Sequence, residues 1–257
     1  MENIKFLDLL KKSFEIVKGD RKRFGILLGI GTFLSFLVIK ERINPISTTV
    51  YMVLTFGFFI AISAIVIRIV KEIYENKKYL DDNYLLGFLE KKFMSVLKVQ
   101  LIHVMFIVLV LILSSIPIAM LIAFVGSALT RFMPLFYTVA VGIIAIPVIA
   151  LNIVVGNAVQ FHLLNENGII DSFKNSIFLG KIDRKMSIIA AIKLYGFYYG
   201  VIFLAIAVSK WISPISAIII SADFIIFSII STLIYYELIK GNEELFDEEN
   251  KDLWEEN

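Results

Sequence analysis

Hydrophobic and polar positions separate into long blocks along this chain. Uninterrupted uncharged runs extend from Ile43 to Ile67, from Val99 to Thr130 and from Phe132 to Asn165, each longer than the roughly 20 residues that carry a helix across a bilayer. A shorter run covers Phe24 to Ile39, and two more apolar stretches follow Lys185. The pattern predicts six spans, at 24–40, 46–68, 98–128, 134–163, 186–209 and 212–237. The first is short: its uncharged part rises about 24 Å against a hydrocarbon core of ~30 Å. Arg21, Lys22, Arg23, Lys40 and Arg42 must therefore snorkel, or the bilayer must thin. The third span reads as one helix through Pro117, because neighbouring helices absorb a proline inside a membrane.

A second kind of segment precedes the spans. Leu7, Leu10, Phe14 and Val17 stand at i, i+3, i+7 and i+10 on one helical stripe, while Lys5, Asp8, Lys12 and Glu15 face away. Acidic residues this early also argue against a cleavable signal peptide. A shift of 163 positions superposes Leu7, Asp8, Lys11, Ser13 and Asp20 on Ile170, Asp171, Lys174, Ser176 and Asp183 without a gap. A shift of 79 places Leu7, Leu10, Phe14 and Val17 on Leu86, Leu89, Phe93 and Val96. The unit is an amphipathic helix followed by two spans, repeated over about 1–78, 79–166 and 167–240. An even number of spans per unit makes the copies parallel, which disfavours inverted-repeat transporter designs. Helices lying in the membrane surface are expected near 4–18, 80–96 and 169–181, each at a steep angle to the span it precedes.

Charge orients this arrangement. The amino-terminal segment and residues 68–98 each carry seven Lys and Arg, residues 174–193 carry five and the tail carries two, against four in the three remaining connections. The positive-inside rule then places both termini in the cytoplasm of a multi-pass cell-membrane protein. Lys11, Lys12, Lys18, Arg21, Lys22 and Arg23 suit anionic lipid at that face, at about 1 kcal/mol per basic residue. The same helices also read as plain connectors packed on the bundle. The segment 241–257 forms an acidic tail with eight acids and one lysine between Glu243 and Glu256, either solvated or folded back on the basic face.

Composition narrows the chemistry. The 257 residues are 58% hydrophobic and 19% charged, far more apolar than the roughly 45–50% of a soluble domain. The absence of cysteine removes disulfides and thiolate chemistry, and the two histidines leave little for a metal centre. His103, His162 and Glu166 could supply three ligands, but no HExxH-like spacing supports a metal. No phosphate-binding loop or nucleophile elbow occurs, so neither an enzyme nor a cofactor is expected. Nothing points to nucleic acid.

The intramembrane polar residues are the candidate site. Asp223 sits near the midplane of the last span, and Lys193 in the preceding span is its expected partner. Asn152, Gly156 and Gln160 repeat at i, i+4 and i+8, one polar face pointing into the bundle, for a substrate path or for interhelical hydrogen bonds. Gly25 with Gly29, Gly196 with Gly200, and Ser213, Ala217 and Ser221 make small-residue faces, for packing within the chain or for a homodimer.

The stretch from Asn165 to Lys185, NENGIIDSFKNSIFLGKIDRK, resembles the signature segment of a loose group of prokaryotic six-span proteins. That group includes the membrane domain attached to some glycerophosphodiester phosphodiesterases. Its cytoplasmic helices run acidic residue, turn, apolar residues, lysine, serine, which Asp171, Lys174 and Ser176 match and Asp8, Lys11 and Ser13 echo. The resemblance implies a membrane module. The phosphodiesterase activity belongs to a separate soluble barrel, so no catalytic residue carries over. The expectation is an all-α module that organises lipid or a partner protein without catalysis; its rival is a small ion-coupled permease using Asp223, Lys193, Asn152 and Gln160.

Overall fold

The computed structural model describes residues 5–40, 45–74, 82–125, 133–182, 184–209 and 213–240, and among these it holds helices and turns but no strand. The acidic segment 241–257 lies outside the described residues. In chain order the helices are α1 (Phe6–Gly19), α2 (Arg21–Lys40), α3 (Pro45–Tyr74), α4 (Asp82–Val125), α5 (Met133–Val155), α6 (Ala158–Leu164), α7 (Ile169–Ile182), α8 (Arg184–Ser209) and α9 (Ser213–Lys240). Five stretches are long and apolar enough to cross a membrane: Arg21–Ile39, Thr49–Tyr74, Asn83–Met120, Ile146–Leu164 and Ser213–Lys240. α8 adds a shorter apolar helix, Ser187–Ile202. The fold is all-α, with the helix lengths and composition of a membrane protein.

α9 is the hub, packing on α8, α2, α3 and α1. Its inward side carries Ser216, Ala217, Ser221, Ser228 and Thr232, all buried, and small side chains let backbones approach where lipid offers no hydrophobic drive. Gly31 of α2 meets this side so closely that a Cβ there would lie 3.2 Å from Ser221 Oγ. Ser35 and Ser221 hydroxyls join the two helices at 3.3 Å. At the other two glycine faces, nothing among the described residues lies within 4 Å of a Cβ built at Gly25, Gly29, Gly196 or Gly200.

The middle surface segment departs from expectation. α1 ends at Gly19 and Asp20 separates it from α2, and α7 likewise ends before α8 begins. The middle segment near 80–96 is instead the first part of the 44-residue α4. Residues 88–99 contain neither glycine nor proline, so nothing there breaks the helix. On α1 the side turned to the bundle is Leu9 and Ser13, both buried, while Leu7 and Phe14 point outward.

The expected fourth span is interrupted. α5 stops at Val155 and α6 starts at Ala158, with Gly156 and Asn157 in a turn. A break frees backbone groups that a continuous helix would pair, and Ser176 of α7 takes up two of them. Its hydroxyl donates to Val154 O at 2.9 Å and accepts from Asn157 N at 3.2 Å. Gly180, one turn on, allows α7 this close, since a Cβ there would sit 2.8 Å from Ile153 O.

Candidate functional site

Helices α3, α4, α5, α8 and α9 contact one another in a closed ring, each with its two neighbours. They surround a cavity of about 390 Å³ to which every one of them, with α6, contributes side chains. Aromatic walls arise from simple helical spacing. Phe56 and Phe59 are three apart on α3, Phe224 and Phe227 three apart on α9, and Tyr195, Tyr198 and Tyr199 share one face of α8. The rings interlock across elements: Phe59 packs on Phe224 with centroids 4.6 Å apart, and Phe227 lies 4.7 Å from Tyr198 and 5.6 Å from Tyr195. Such pairs add about 0.5–1.5 kcal/mol each beyond their buried area.

The polar wall is built around Asn152. Its Nδ2 donates to Val148 O at 2.8 Å, which leaves Oδ1 facing the cavity as a double acceptor. Tyr195 Oη donates to that oxygen at 2.9 Å and His103 Nε2 reaches it at 3.1 Å. Because Oδ1 can only accept, His103 carries its proton on Nε2. One asparagine thus ties α4, α5 and α8 together. Eight residues on, past the break, Gln160 Nε2 donates to Ser231 Oγ of α9 at 2.8 Å, while Gln160 Oε1 is buried with no hydrogen-bond partner. Gly156 between them has no room for a side chain, since a Cβ would collide with the carbonyl oxygen of Asn152.

The residues singled out from sequence divide here. Asn152, Gly156 and Gln160 line the cavity, whereas Asp223 and Lys193 do not. The expected Asp223–Lys193 pair is not formed. Asp223 is buried and neither carboxyl oxygen has a hydrogen-bond partner, while Lys193 lies on the exposed face of α8 beside Ile192. Helical geometry explains the miss: Ala190, Ala191 and Leu194 are the buried positions, and Lys193 stands off that face. His103 was singled out from sequence only as one of three possible metal ligands, and the aromatic walls were not anticipated. Their signal was present as i, i+3 and i+4 ring spacings.

A second polar cluster closes the basic end of the bundle. Arg68 and Glu72 form a buried pair at 2.7 Å on α3, and the same guanidinium donates to Tyr84 Oη at 2.7 Å. It also lies over the rings of Tyr84 and Phe88 at 5.4 and 5.3 Å, fixing α4 to α3. The turn after α6 has Glu166 at φ 57. It is held by Lys71 Nζ on Leu164 O at 2.7 Å, by Tyr235 Oη on Asn165 Oδ1 at 2.9 Å and by His162 Nδ1 on Asn167 O at 2.8 Å. His162 and His103 are thus engaged in different clusters, and no group of three His, Cys, Asp or Glu able to hold a metal occurs among the described residues.

Compared with family models, curated proteins and solved structures, the chain matches none.

Proposed function

We propose that this chain is a non-catalytic membrane module that holds lipid, with six spans in three parallel units and both termini in the cytoplasm of a prokaryotic cell. The observation that carries the reading is the cavity itself: among the described residues its lining includes no Asp, Glu, Lys or Arg. An ion-coupled pathway needs groups that exchange or balance charge, and the two candidates for that role stand outside the wall. Large aromatic surface with a few directed polar groups suits a lipid better than a hydrated ion.

The surface helices support the same reading. Leu7 of α1 and Ile170 of α7 occupy corresponding positions in the first and third units, and each is exposed. Each offers an aliphatic side chain beside basic residues, the arrangement of a helix resting at a lipid interface. A partner protein could use the same faces, yet the uncharged cavity favours lipid.

Native mass spectrometry of the full chain released from lipid nanodiscs tests the proposal. The expected result is a retained lipid adduct that Ser228→Phe loses, because that buried position lines the cavity. A bare chain, or an adduct equally retained by Ser228→Phe, contradicts it. Single cysteines on this cysteine-free chain test the topology. Lys11, Asn83 and Lys174 should resist an impermeant maleimide in intact cells, whereas Met133 and Ser213 should react.

A further inference from the structure

We infer that the cavity takes a 1,4-quinone ring, held among its aromatic walls with one carbonyl oxygen on Ser63 and the opposite one on Tyr198. The inference rests on the lipid-holding reading above and adds the chemical class of the ligand to it.

Unspent polar groups set what the ligand must offer. Asn152 uses its amide on Val148 and its oxygen on Tyr195 and His103. Ser228 donates to Phe224 O at 2.9 Å, and Gln160 gives its Nε2 to Ser231. Ser63, Gln100, Tyr198 and Tyr199 also line the cavity, and their side chains form no hydrogen bond with another described residue. Unlike Gln160 Oε1, the polar atoms of Ser63, Gln100 and Tyr198 are not sealed in, so a ligand can reach them. Hydroxyls left over in apolar surroundings call for acceptors.

Two of these groups oppose each other. Phe59 packs on Phe224 and, nearer the basic end, Tyr74 stacks on Tyr236, so α3 and α9 run side by side in one direction. Ser63, one turn past Phe59, is therefore level with Phe227, one turn past Phe224. Phe227 in turn lies on Tyr198 with centroids 4.7 Å apart, which brings Tyr198 to the same depth. In the ring of helices the neighbours of α8 are α5 and α9, so Tyr198 stands across the cavity from the α3–α4 edge that carries Ser63. An alcohol satisfies one such hydroxyl at a time. Carbonyls on opposite edges of one ring satisfy both.

Charge, size and wall chemistry agree. Among the described residues the lining has no Asp, Glu, Lys or Arg, so a phosphate or ammonium head would lose its water and meet no countercharge. A volume of about 390 Å³ is near the small end of ligand pockets, roughly 300–1,000 Å³, and suits a bicyclic ring better than a two-chain lipid. Seven lining side chains are aromatic, and aromatic faces and edges pack on a planar ring with defined geometry.

Equilibrium dialysis of menadione, a tailless 1,4-naphthoquinone, against the full chain in nanodiscs tests this, with empty discs as background. The chain has no cysteine, so thiol addition does not confuse the reading. Saturable binding of one menadione per chain is expected. Ser63→Ala and Tyr198→Phe should each weaken it about fivefold, the factor that one hydrogen bond of roughly 1 kcal/mol is worth. Both variants should keep the parent's melting temperature, since neither hydroxyl bonds within the described protein. 2-Methylnaphthalene, the same ring without carbonyls, should compete about 25-fold more weakly than menadione, the product of two such bonds. Ser115→Leu, on the exposed face of α4, should bind as the parent does. Equal competition by 2-methylnaphthalene, or unchanged binding in Ser63→Ala and Tyr198→Phe, overturns the quinone assignment and leaves lipid holding standing. So does an absence of saturable menadione binding while native mass spectrometry retains a lipid adduct that Ser228→Phe loses. No saturable binding together with a bare chain overturns both.

Discussion

α4 and α9 are both long, apolar and centrally involved in the ring, yet they are buried to opposite degrees. Within its most apolar window α9 is 56% buried and α4 6%. Hydropathy does not distinguish them; the small polar residues do. α9 turns Ser216, Ser221, Ser228 and Thr232 into the bundle, whereas the outer half of α4 offers Leu109, Ile112, Leu113 and Ile116 to its surroundings. In a membrane, apolar surface is content against lipid and small or hydrogen-bonding surface is content against another helix. Hydroxyl density is therefore the better guide to which helix lies at the centre.

The largest expected effect comes at the break that shapes the cavity wall. Gly156→Ala should cost at least about 3 kcal/mol in thermal unfolding, since the added methyl meets a backbone carbonyl that cannot move without unwinding α5. Ser221→Leu, which wedges α9 from Gly31 of α2, should cost about 1–3 kcal/mol. Ser115→Leu on α4 is the matched control. That side chain is exposed and bonds only to Ile112 O of its own helix, so the change should stay within about 0.5 kcal/mol. A similar cost at Ser115 and Ser221 would abolish the distinction between the two helices.

Asp223 sharpens the comparison from within α9. Asp223→Leu should raise stability by about 1–3 kcal/mol, because it removes a buried carboxyl that the structure leaves unpaired. A double-mutant cycle with Lys193→Met should show coupling below about 0.5 kcal/mol. Destabilisation rescued by the second change would restore the salt bridge expected from sequence. A small effect is expected at the basic end, where Lys12 and Glu237 lie 3.6 Å apart and both are exposed. Lys12→Ala should cost at most about 1 kcal/mol and lose even that in 1 M salt.

Much of this fold was legible because uncharged runs must be helical in lipid, where every backbone group has to pair internally. The polar face of Asn152, Gly156 and Gln160 was legible for the same reason, since a helix hides such groups from hydrocarbon. The interruption at Gly156 was not, because its stability depends on Ser176 and Gly180 arriving from a helix some twenty residues later. The glycine faces were legible as faces but not in what they meet. Spacing shows that Gly196 and Gly200 share a face, but whether that face meets a neighbour depends on how α8 rotates against α9, which Leu194 and the tyrosines decide. The fused surface helix of α4 shows that helical continuity follows the absence of a breaker more closely than the amphipathic pattern does.

Whether the cavity belongs to lipid or to water is decided most directly by the relaxation of a spin label on its wall. A nitroxide at Ser63, buried on the α3 side, would be compared in native-like bilayers with one at Ile112 on the outside of α4 and one at Lys11 at the basic end. Dissolved oxygen concentrates in hydrocarbon and a polar nickel chelate stays in water. The lipid-holding account predicts that Ser63 behaves like Ile112, relaxed by oxygen and insensitive to nickel; relaxation by nickel approaching that at Lys11 would show an aqueous path and contradict it.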